Sequence, residues 1–133
     1  MNVVVTYLSM LIFFLAVDYV MIIKVINPIF QSNVGELFRE QPKLTAAAFF
    51  YIFYVSGIYW FGTLAGLRTG SVLTSILSGS FLGLLAYATY EVTNFSLIKG
   101  WTVQMVVLDT AWGGALGGLT AAVGYYVNKA MSS

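Results

Sequence analysis

A chain of 133 residues that is 59% hydrophobic and 8% charged has too little polar surface for a soluble globule, whose charged share is about 25%. A net charge of +1 argues against a basic face for nucleic acid, and the absence of Cys and His excludes disulfides and disfavours haem, zinc and copper. A span needs about 20 residues, so one all-α domain of four transmembrane helices uses the whole length and leaves no room for a soluble catalytic domain.

Span one is predicted over residues 3–25, apolar and aromatic apart from Asp18, with Lys24 near enough to its end to snorkel. It has neither a basic leader nor an Ala-x-Ala-like cleavage site, and so reads as a retained span rather than a signal peptide. Asn27 and Pro28 are expected to end it. Residues 29–43 turn polar, and Val34, Leu37 and Phe38 fall opposite Glu36, Arg39 and Glu40, the pattern of a short interfacial helix. Gln41 and Pro42 are expected to close it, because a residue before proline is pushed out of the α region.

Span two, residues 44–67, carries no charge and many rings, with Tyr59 and Trp60 placed for an aromatic belt. Arg68, Thr69, Gly70 and Ser71 make a tight turn, so spans two and three are antiparallel neighbours. Along span three, residues 72–94, the small residues Ser75, Gly79 and Gly83 continue from Ser71 at every fourth position. Span four, residues 101–128, has Gly113, Gly114, Gly117 and Gly118 in two overlapping GxxxG steps. Small residues at that spacing let helix backbones approach closely where lipid removes the hydrophobic drive for association. The sequence leaves open whether this contact lies within the bundle or between copies.

Three acids, Asp18, Glu91 and Asp109, sit in these apolar runs. Each costs roughly 2.5 to 3.5 kcal/mol at membrane depth on insertion scales, so three retained carboxyls imply partners and a task. Antiparallel spans put Asp18 roughly 12 Å before the end of span one and Asp109 roughly 12 Å after the start of span four, in one layer, with Glu91 nearer the surface by the same rise. Tyr87, Glu91 and Asn94 share a face of span three, Asp109 and Trp112 share one on span four, and Tyr51 and Tyr54 lie at matching depth on span two. These eight side chains form the candidate ligand or ion site, opening toward the 29–43 loop. Carboxyls so crowded are expected to hold at least one proton or a cation at neutral pH. Against this stands a structural role: Asp18 and Asp109 fixing helix register through Tyr or Trp donors, and Glu91 reaching the headgroups.

The chain resembles a family of small bacterial four-span membrane proteins defined only as a domain of unknown function. The resemblance runs through Asp18; Glu40, Gln41 and Pro42; Phe50, Tyr51, Tyr54 and Gly57; Tyr87, Thr89 and Tyr90; Thr93 and Asn94; Gly100 and Trp101; and Asp109, Ala111, Trp112 and Gly113. Glu91 stands where Asp is expected, a longer arm with the same charge. The resemblance implies four spans in a bacterial inner membrane, or an equivalent organellar one, and members encoded beside lipid-modifying enzymes, which points to lipid or membrane-stress work.

Two function classes follow. One is a binding or transport protein whose acids hold a proton, a hard cation or a lipid-like ligand, with no dedicated cofactor and no metal site. The other is a non-catalytic subunit of a larger membrane complex, or a homo-oligomer, associated through its glycine ladder among membrane lipids. An intramembrane lipid-modifying enzyme is a weaker third, since no nucleophile–base motif is visible.

Overall fold

The computed structural model describes residues 3–39 and 43–132, and every regular element among them is helical. Four helices are long and apolar enough to cross a membrane: Val3–Leu37, Leu44–Thr69, Val72–Leu97 and Val103–Ser132. Two of them are assembled from shorter pieces. The first joins α1 (Val3–Met21) to α2 (Asn27–Val34) through a π-helical turn, Ile22–Ile26, and ends in the 3₁₀ turn Gly35–Leu37. The second joins α3 (Leu44–Ile58) to α4 (Leu64–Thr69) through another π-helical turn, Tyr59–Thr63. The remaining two, α5 (Val72–Leu97) and α6 (Val103–Ser132), are unbroken.

The helix therefore does not end at Asn27 and Pro28, as the sequence pattern predicts. Pro28 stands at the start of α2, where its missing N–H is least costly, and in the turn before it the Asn27 N–H reaches back five residues to the Ile22 carbonyl. The wider π turn takes up the proline without breaking the chain's helical course. Beyond it, Phe30 and Val34 are buried against Met105 and, with Trp101, pin α2 to the start of α6. Glu36 and Arg39 stay exposed, while Glu40, Gln41 and Pro42 lie outside the described residues.

At the far end, Gly70 takes the left-handed conformation (φ 70°) that ends α4, and the Ser71 hydroxyl accepts from the Thr74 N–H to start α5. The α5–α6 pairing is the most extensive in the bundle, and its seam is glycine. A Cβ on Gly83 would collide with the Gly113 carbonyl oxygen, and one on Gly117 with that of Gly79. Gly113 in turn makes room for the Tyr87 ring, and Gly114 for Leu84. Both glycine ladders thus face each other inside this chain. At the same level a Cβ on Gly62 would come within 3.2 Å of Gly79, so the second π turn also rests on this seam. There the Thr63 hydroxyl donates to the Ala121 carbonyl at 3.0 Å, and Ser75 donates to the Thr63 carbonyl at 3.1 Å.

The core between α1, α3 and α6 is built from Met10, Phe14, Tyr54, Val55, Ile58, Leu116 and Ala121. Large rings such as Phe49, Phe53, Trp60 and Phe81 point outward, as expected of a surface solvated by lipid. One pairing is conspicuously loose. Near the Gly70 turn the second and third spans pack closely through the π turn and α4, whereas α3 meets α5 through long side chains, Tyr54 against Tyr87 with centroids 6.1 Å apart.

Candidate functional site

All three membrane-depth acids gather at the open end of the bundle. Asp18 on α1 is 5% exposed, and both of its carboxylate oxygens are taken: Trp112 on α6 donates to Oδ1 at 2.9 Å and Tyr51 on α3 to Oδ2 at 3.0 Å. One side chain thereby ties three helices. Glu91 on α5 is fully buried, and its Oε1 accepts from the Trp101 indole N–H at 2.8 Å. Its Oε2 has no donor. The Asp109 carboxyl lies beside it, and Asp18 is close enough to act on Asp109 electrostatically. Two ionised carboxylates placed side by side repel each other.

Trp101 reaches Glu91 because Gly100 turns the chain there with φ 88°, a conformation that only glycine adopts without strain. A Cβ on Gly100 would also come within 3.0 Å of the Asn33 carbonyl oxygen, so this turn seats directly against α2. The indole is held edge-on between Phe30, centroids 5.3 Å apart, and Tyr90, 6.0 Å apart.

Two adjoining clefts open on this cluster. The inner one, about 320 Å³, is bounded by Asp18, Tyr51, Tyr87, Tyr90 and Asp109, and by Ile22, Ile26, Asn27 and Phe30 from the first π turn and α2. Asp18, Ile22 and Ile26 reach it at successive fourth positions, so the π turn forms one wall, a frequent place for such turns. The outer cleft, about 330 Å³, lies between α3 and α5 and is lined by Phe50, Ala86, Tyr87, Tyr90 and Asp109. Tyr87, Tyr90 and Asp109 are common to both.

Of the eight candidate residues, Asp18, Tyr51, Tyr87 and Asp109 line the inner cleft. Glu91 and Trp112 stand behind it, each bonded to or beside a lining acid. Tyr54 is buried among the Phe14, Phe50 and Tyr87 rings with its hydroxyl unpaired. Asn94 is the outlier, half-buried beside the Tyr90 hydroxyl rather than in the cleft. Sequence reasoning missed Tyr90 and Trp101 as site members. Tyr90 was findable, three residues from Tyr87 and so on its face, whereas Trp101 is positioned by a turn whose geometry no periodicity reveals.

The partners of the acids are one another and the neutral donors Trp101, Trp112 and Tyr51; among the described residues no basic side chain pairs with them. Lys24, on the same helix as Asp18, is exposed and borders a separate shallow groove beside Trp112. Nor do the described residues offer three or more acids arranged to hold one metal ion.

A family model described as a predicted membrane protein, DUF2177, matches residues 3–126, and the chain belongs to that family. No curated protein and no solved structure matches the chain. Family and fold together make it a multi-pass integral membrane protein with four helical spans.

Proposed function

We propose that the chain is a binding or carrier protein of the bacterial inner membrane whose acidic, ring-lined cleft takes up a proton, a cation or a cationic lipid-like ligand. One observation carries the reading: three carboxyls converge at membrane depth beside a cleft, and among the described residues no basic side chain neutralises them. A purely structural cluster would be cheaper with amides or hydroxyls, since each charge at this depth costs roughly 2.5 to 3.5 kcal/mol. The Glu91–Asp109 contact supports uptake of positive charge directly, because it is repulsive until something positive enters.

Asp18→Asn and Asp109→Asn test the reading. The amide is nearly isosteric and less costly to bury, so both variants should insert and fold in mild detergent. Wild-type melting temperature should rise with added methylammonium and change with pH, and each substitution should flatten both responses. If both variants respond as the wild type does, the site is wrongly assigned. If they fail to fold, the carboxyls hold the helices together instead. Recovery from native membrane in a stoichiometric large assembly would favour the subunit role.

A further inference from the structure

We propose that the ligand is a membrane lipid with an ammonium head, seated head-first in the inner cleft with its alkyl chain leaving the bundle sideways between α3 and α5. This rests on reading the acidic cleft as a binding site and names what it binds. Charge supplies the first argument. Asp18 and Asp109 line the cleft, and the fully buried Glu91 beside Asp109 has an Oε2 that no donor satisfies. The cluster therefore lacks positive charge, and one of its carboxylate oxygens lacks a donor; an ammonium group offers both.

Ring chemistry narrows the cation. Tyr51, Tyr87, Tyr90 and Phe30 also line it, and aromatic faces attract organic ammonium ions, most strongly when these are desolvated. A small inorganic ion has no use for such walls. Room and route come next. About 320 Å³ lies at the small end of ligand cavities, enough for a headgroup and too little for a whole lipid. The outer cleft shares Tyr87, Tyr90 and Asp109 with it, and its remaining walls, Phe50 and Ala86, are apolar. Phe50 and Tyr90 are 44% and 56% exposed, so this cleft gives onto the exposed flank between α3 and α5. A proton or a hard cation needs no apolar side door; an alkyl chain does.

The test uses the full chain carrying Trp60→Phe, which removes the lipid-exposed indole and leaves Trp101 and Trp112 beside the acids as reporters. The protein is reconstituted in phosphatidylglycerol vesicles containing a minor fraction of lipid brominated on its acyl chains, either phosphatidylethanolamine or phosphatidylglycerol. Fluorescence quenching should show a preference of about tenfold for the amine-headed lipid, equal to about 1.4 kcal/mol. Ala86→Phe, which fills the side opening, and Asp109→Asn, which removes a carboxylate, should each abolish that preference. Equal quenching by both lipids, with methylammonium still stabilising the wild type but not Asp109→Asn, overturns the lipid assignment and leaves the cleft as a site for a small cation. Equal quenching with no methylammonium effect removes the proposal and the binding site together. Should Ala86→Phe fail to fold, the headgroup comparison in the protein with its native opening still decides the question.

Discussion

Trp101 does for Glu91 what Trp112 and Tyr51 do for Asp18: a ring donor takes a carboxylate oxygen. Because Glu91 is fully buried, Trp101→Phe should leave its Oε1 unpaired and destabilise the fold by about 1–3 kcal/mol in chemical denaturation from detergent. In a Glu91→Met background the same substitution should cost less, by about 0.5–3 kcal/mol of coupling. Equal costs in the two backgrounds would assign the indole a packing role against Phe30 and Tyr90 instead. The acids themselves were legible in the sequence, since a carboxyl in an apolar run stands out by cost alone. Their donors were legible only in part: Trp112 shares a helical face with Asp109, but Trp101 depends on the left-handed turn at Gly100.

Among the elements, the α5–α6 seam shows what glycine spacing can and cannot say. Spacing announced close helix contact, and the structure gives the partner, because Gly83 abuts the Gly113 carbonyl and Gly79 that of Gly117. Gly83→Ala should therefore cost about 1–3 kcal/mol in thermal or denaturant unfolding, as overpacking does. Gly57→Ala is the contrast: its Cβ would meet only Leu82, at 3.8 Å, and it should be neutral or stabilising by about 0.4–1 kcal/mol. Comparable losses at both positions would mean that the seam is not the tight contact. The first π turn was illegible for a different reason. Proline after a polar residue is the ordinary sign of a helix end, and only the tertiary hold on Phe30 and Val34 carries the helix past it.

For the whole molecule, hydropathy alone fixed four spans, because a lipid-exposed backbone must satisfy its hydrogen bonds within each segment. Which helices touch was less legible, since exposed and buried faces of these spans are almost equally apolar. Orientation follows from the basic residues. Lys24, Arg39, Lys43 and Lys99 flank the end where the acids gather, against Arg68 and Lys129 at the other, so the positive-inside rule puts the cleft end in the cytoplasm and the carboxy terminus outside. A carboxy-terminal alkaline phosphatase fusion should be active and a green fluorescent protein fusion dark. The reverse pattern turns the bundle over.

The Glu91 carboxyl also bears on how the chain is made. Its indole donor lies ten residues downstream and the carboxyl beside it eighteen, both beyond the end of α5. A third span released alone from the translocon would carry a bare charge into lipid at a cost of roughly 2.5 to 3.5 kcal/mol. Delivery of the turn and the start of the fourth span before the third leaves would spare that cost, the two partitioning as a hairpin closed along its glycine face.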